Sequence, residues 1–172
     1  AYKAGIDAVI VTDHNLLVKN LSGYYPVADK AILIIVGEEV HDRTRIPQKN
    51  HLLAVGVSDE LSGLAGNTQN LITQVNMQGG MSFIAHPYED ALALFNETDI
   101  TWDNWQVYGY TGIELWNGLS ELKTVIKSKL HALFYSLFPA FIAHRPHERA
   151  MLKWDELHQA GRIVVGIGGT DS

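Results

Sequence analysis

The sequence predicts an α/β fold with a mainly parallel sheet, and three observations carry that expectation. Short β-branched runs recur, each ending in Gly or polar residues, and stretches with helical spacing lie between several of them. The length, 172 residues of which 47% are hydrophobic, suits one domain spanning residues 1–172 around one sizeable core.

Residues 8–12 (AVIVT), 32–36 (ILIIV), 52–57 (LLAVGV), 82–85 (SFIA), 112–115 (GIEL) and 163–167 (IVVGI) read as buried strands, because short apolar runs without alternation are covered on both faces. Leu71, Ile72 and Val75 mark a helix before the fourth run. Leu119, Leu122, Val125, Ile126, Leu130 and Leu133 mark another after the fifth. Over 148–160 the pattern repeats through Met151, Leu152 and Leu157, and Gly161 stands in the usual helix-stop position. Residues 96–111 (NETDITWDNWQVYGYT) are aromatic and polar without period and read as a long loop. Six strands exceed a small sandwich and fall short of the eight strands and about 250 residues of a full barrel, so a barrel incomplete at both ends fits. AYKAGID at the start and GGTDS at the end read as cuts within a longer chain.

Composition removes several classes. There is no cysteine, which excludes a disulfide framework, a thiolate zinc cluster and a cysteine nucleophile. Asp and Glu outnumber Lys and Arg by 19 to 13, and the charge of −6 argues against a broad nucleic-acid or anionic-membrane surface while leaving room for a local phosphate pocket. The longest apolar runs fall far short of the roughly 18–20 residues that span a bilayer. A soluble, cytoplasmic domain is expected.

In parallel α/β folds the working residues collect at the carboxyl ends of the strands. Here the predicted strands lead into Asp13 and His14, Glu38 and Glu39, His86, Glu114 with Trp116 and Asn117, and Asp171. Each has a plainer role too. Asp13-His14-Asn15 could be a capping turn, His86 before Pro87 could be a hydrogen-bonded bend, and of two adjacent acids on a strand only one faces a site while the other is solvated. His51 precedes its apolar run, so the strand-end rule does not select it. His41, His131, His144, His147 and His158 fall in polar stretches or on helices and read as surface or capping residues. The glycines of GIGGTDS fit a phosphate cradle or close backbone packing equally well. Taken together, imidazole and carboxylate without thiolate suit Zn, Mn or Fe, and the chemistry leads to a metal-dependent hydrolase.

The segments AGIDAVIVTDHN, VGEEV, HLLAVGV, GGMSFIAHP, GIELWN and GRIVVGIGGTDS, in this order, closely resemble the PHP (polymerase and histidinol phosphatase) family. The resemblance implies a distorted, TIM-like barrel of seven βα units holding two to three divalent ions, and hydrolysis of a phosphate ester in a small or medium-sized molecule. Carried over by position, the metal ligands would be His14, Glu39, His51, His86 and Asp171, with Asp13 orienting a ligand or water. Asp13, His14, His86 and Asp171 would form the catalytic set. Glu114 and Asn117 are candidates for substrate contact. Arg43 and Arg45, with Lys49 and the more distant Arg145, could clamp phosphate. The family's opening His-x-His strand and the His that usually follows its final G-[ST]-D are not in the sequence. Two other readings stand beside this one: an amidohydrolase-like metal hydrolase, against which no strand-end lysine suitable for carbamylation is found, and a non-catalytic PHP-like interaction module, in which Trp102, Trp105, Tyr108 and Tyr110 could form a partner patch or simply pack.

Overall fold

The computed structural model describes residues 1–138, 141–142 and 145–171, and the chain divides into two compact units. The first comprises Ala1–Asp42, Leu52–Ser82 and Gln106–Tyr110; the second comprises Arg43–His51, Phe83–Trp105 and Thr111–Ser172. The described residues hold seven strands and four α-helices, so the class is mixed α/β.

In the first unit β1 (Ala8–His14) runs parallel to β3 (Lys30–Val40), with Ala8 opposite Leu33 and His14 opposite Glu39. β2 (Gly23–Val27) folds back on β3 as an antiparallel hairpin closed at Val27 and Lys30, and β4 (Leu52–Val55) is also antiparallel to β3. Helix α1 (Thr68–Met77) starts where the Asn67 side chain accepts a hydrogen bond from the Asn70 N–H, satisfying one free donor of the first turn. Its buried face is Thr68, Leu71, Ile72 and Val75, the stripe that the sequence spacing marks. Val36, Val40, Leu52, Ala54 and Val55 complete the core on the strand side.

The second unit is parallel. The end of β5 (Met81–Ile84) pairs with β6 (Gly112–Asn117), and β6 pairs with β7 (Val165–Gly169), with an irregularity between Glu114 and Trp116. Helices α2 (Gly118–Val125), α3 (Lys129–Leu137) and α4 (Glu148–Gln159) follow. α4 buries Ala150 and Leu157 and stops before Gly161, whose φ of +77° suits a residue without a Cβ. Trp154 Nε1 donates to the Val164 carbonyl at 2.7 Å, tying the helix to the start of β7.

Three expectations are corrected. The strand pairing is mixed rather than mainly parallel, since both β2 and β4 run against β3. β2 escapes the sequence reading because Pro26 interrupts it and its side chains are mostly exposed, which leaves no apolar run to see. The helix expected from Leu119 to Leu133 is two helices, and Leu130 and Leu133 face solvent instead of a core. The stretch 96–111 contains no helix or named strand, as expected of a loop, and Trp102 and Tyr110 within it are buried while Tyr108 is exposed.

Candidate metal centre

In the first unit the parallel register of β1 and β3 sets His14 beside Glu39 on neighbouring strands. His14 Nε2 lies 3.4 Å from Glu39 Oε2. The His41 ring meets the His14 ring edge-on at 5.1 Å. Asn15, at φ 53°, joins the two strand ends: its N–H donates to the Glu39 carbonyl at 2.8 Å and its Oδ1 accepts from the His41 N–H at 3.0 Å. No helix follows Asn15, so the capping role is excluded. His41, expected at the surface, is buried, because β3 runs on to Val40 and carries it inside the unit.

The adjacent acids on β3 also depart from expectation. Glu39 and Glu38 are both buried, so neither is solvated. Glu38 accepts the Leu61 N–H at 2.9 Å. Burial pushes its carboxyl above the usual range against that hydrogen bond, and Glu60 nearby adds to the rise. Asp13 is exposed, opposite Glu38 in the register, and finds no hydrogen-bond or ion-pair partner among the described residues.

The second unit gathers His51, His86 and Asp171. The His51 and His86 rings meet edge-on at 4.7 Å, and the Ala85 N–H donates to the His51 carbonyl at 3.1 Å. His51 Nε2 lies 2.9 Å from the Gln48 carbonyl oxygen. A carbonyl only accepts, so Nε2 carries a proton and donates it to Gln48, a backbone contact of the kind that commonly orients metal-binding histidines. One donor atom from each of His86, Glu89 and Asp171 lies within 4.8 Å of the other two. His86 at φ 25° and Asp171 at φ 55° both hold backbone conformations that cost energy for L side chains, a feature that concentrates at functional sites.

Glu89 is the residue that the strand-end rule misses. It sits three residues beyond His86, after the Pro87 bend, and its Oε2 lies 3.9 Å from His86 Nδ1. Burial alone would push its carboxyl up, but His86, the Lys123 ammonium and the Ser120 hydroxyl outweigh burial and hold it below the usual range. Lys123 also pairs with Glu97 at 2.6 Å, and its own ammonium is held charged to higher pH, these acidic partners overcoming the effect of burial.

Glu114 and Asn117, expected to face substrate, are engaged in holding neighbours. Glu114 Oε2 accepts the His86 N–H at 2.7 Å and Asn117 Nδ2 at 2.9 Å. Asn117 Nδ2 also lies 3.1 Å from Asp171 Oδ2, while its Oδ1 caps α2 by accepting the Ser120 N–H at 2.9 Å. Burial pushes the Glu114 carboxyl up, the hydrogen bonds notwithstanding, and Asp171 contributes to the rise. A Cβ at Gly169 would come within 2.5 Å of Glu114 Oε1, so this glycine of the GIGGTDS run makes room for a carboxylate, the packing explanation rather than a phosphate cradle.

Of the expected phosphate clamps, Arg45 is ion-paired with Asp103 at 2.6 Å and Lys49 with Asp99 at 3.3 Å, Arg43 lies on the same segment, and Arg145 is exposed. Asn50 Oδ1 accepts the Asp103 N–H at 2.9 Å, so these contacts fasten residues 99–104 to 45–50. His131 and His158 are exposed on α3 and α4, and His147 stacks on Tyr88 at 5.9 Å; His144 lies outside the described residues.

No protein-family model matches the chain, and no curated protein matches it. Among solved structures it is similar to a two-domain protein from Bacteroides vulgatus ATCC 8482 containing a predicted PHP-like metal-dependent phosphoesterase, with a TM-score of 0.50 and 19% identity. The match covers 97% of this chain and 43% of that one, so the chain spans less than half of that protein's length. At this identity the likeness is one of fold. No helix among the described residues is long and apolar enough to cross a membrane.

Proposed function

We propose that the chain acts as part of a PHP-like metal-dependent phosphoesterase, with its strands contributing to a distorted barrel of the TIM-like type. Its substrate would be a phosphate ester of a small or medium-sized molecule, and its cofactors two or three divalent ions of zinc, manganese or iron. The observation that supports this best is the group of His86, Glu89 and Asp171, whose donor atoms lie within 4.8 Å of one another in the second unit. Imidazole and carboxylate donors without thiolate fit those metals. The His51 contact with the Gln48 carbonyl fits a ligand role as well. His14 and Glu39 of the first unit are the further ligands expected from the sequence.

When bound, such ions supply Lewis acidity toward a phosphoryl group and bring a water nearer to ionisation at neutral pH. The protein's own part is positioning. Glu114 holds the His86 backbone by accepting its N–H, and Asn117 holds the Asp171 carboxylate by donating to it. Lys123 and Ser120 hold Glu89 in its ionised, donor-ready form.

Elemental analysis of protein purified without chelator, beside His86→Ala and Asp171→Ala variants, tests the reading together with phosphate release from an aryl phosphate. About two to three equivalents of metal with metal-dependent release, both lost in the variants, are expected. A folded wild type that takes up no divalent metal and releases no phosphate overturns it in favour of a non-catalytic module.

A further inference from the structure

Helix α3 has no buried residue. Leu130, Leu133, Phe134, Leu137, Phe138 and Phe141 recur at intervals of three and four, and all six are exposed. Phe134 lies 5.1 Å from Phe138 and 5.9 Å from Phe141, so the stripe is a contiguous apolar patch and not a scatter of single side chains.

The charges around this patch indicate what covers it. Between Glu121 and Glu148 there is no Asp or Glu, while Lys123, Lys127, Lys129 and Arg145 all fall there, in a chain whose total charge is −6. Among the described residues, Lys19, Lys30, Arg45, Lys49, Lys123, Arg149 and Lys153 sit against a carboxylate. Lys127, Lys129 and Arg145 are exposed and have no such partner among the described residues. Lys127 and Lys129 stand at the start of α3, where the helix dipole disfavours cations, so their placement does not serve the helix itself. A second copy of this chain that paired the patch with itself would bring these unpaired cations against their own kind. An anionic lipid surface answers both the apolar stripe and the unpaired cations.

We propose that α3 docks the protein on an anionic bilayer, lying in the plane of the interface with the Leu and Phe stripe among the upper acyl chains. Lys127, Lys129 and Arg145 then meet lipid phosphates. With nine residues the helix lies on the membrane and does not cross it. The net charge of −6 averages over this segment and hides it.

Co-sedimentation of the full chain with vesicles of phosphatidylcholine and phosphatidylglycerol at three to one, against phosphatidylcholine alone, tests the proposal. Binding to the mixed vesicles is expected, weakened by salt and at least about fivefold stronger than to the neutral ones. A Lys127→Glu, Lys129→Glu variant should lose about tenfold or more, and Leu133→Ser, Leu137→Ser should abolish binding. All four positions are exposed, so unfolding midpoints equal to the wild type establish that folding is not the cause. Equal binding to both vesicle types, or none to either, overturns the proposal. So does a concentration-dependent dimer that the Leu133→Ser, Leu137→Ser variant loses while vesicle binding is absent, which would make a second copy the occupant.

Discussion

Each unit carries an imidazole beside a carboxylate, and the two pairs are built differently. In the first, the His14 side chain is 59% exposed against a Glu39 side chain at 5%; in the second, His86 and Glu89 are at 3% and 2%. A carboxylate removed from water needs a compensating cation or several donors. Glu89 has both, in Lys123 and the Ser120 hydroxyl, whereas the His14 imidazole keeps its own contact with solvent. The closed pair is thus bound into the stability of its unit, whereas in the open pair only the imidazole faces solvent and Glu39 is buried.

The largest expected effect comes from stripping the closed pair of its cation. Lys123→Met leaves Glu89 buried without its ammonium partner and is expected to cost about 3–5 kcal/mol, read from urea unfolding. A loss below about 1 kcal/mol would mean that solvent reaches Glu89 and that the two pairs are alike.

An intermediate effect is a pair of opposite pH slopes. Glu89, held below the usual range, contributes stability that is present above the ordinary glutamate value and lost as pH falls through its lowered folded value. Glu38 is pushed the other way, chiefly by burial, so stability declines as pH climbs from the ordinary value toward its raised folded value. Unfolding midpoints across pH should lose the first slope in Glu89→Gln and the second in Glu38→Gln. Unchanged profiles in both variants would show that neither carboxyl titrates as its surroundings dictate.

The smallest effect is expected at the open pair. His14→Ala removes a largely solvated imidazole and should change unfolding stability by less than about 1 kcal/mol. Under the proposed function it should nevertheless reduce metal uptake. A stability loss as large as that of Lys123→Met would place His14 in the structural framework instead.

Much of this was legible in the order of residues. Leu71, Ile72 and Val75 mark the buried stripe of α1, and the 148–160 pattern with Gly161 marks α4 and its stop, because a helix brings residues three and four apart onto one face. His14, His86, Asp171 and the Glu38–Glu39 pair stand at expected strand exits, and within that pair only the family resemblance singles out Glu39. His41 and Glu89 stand at no expected exit. β3 continues four residues beyond its expected end, which takes His41 inside, and Glu89 reaches His86 across a bend whose course no periodicity records. β2 was invisible for a related reason, as an edge strand with Pro26 needs no apolar alternation once β3 offers its backbone.

The sequence by itself determined the class of fold, the helices with a clean apolar stripe, the absence of thiolate chemistry and the imidazole and carboxylate donors placed near strand exits. These depend on local spacing and on residue identity, which a one-dimensional string contains in full. Only the tertiary structure decided the direction of β4, the burial of both Glu38 and Glu39, the service of Glu114 and Asn117 as supports for His86 and Asp171, and the exposure of the α3 stripe. Those outcomes depend on which distant backbone donors and side chains arrive at a given place, and hydrogen bonding and burial are set by that arrival rather than by the neighbours in sequence.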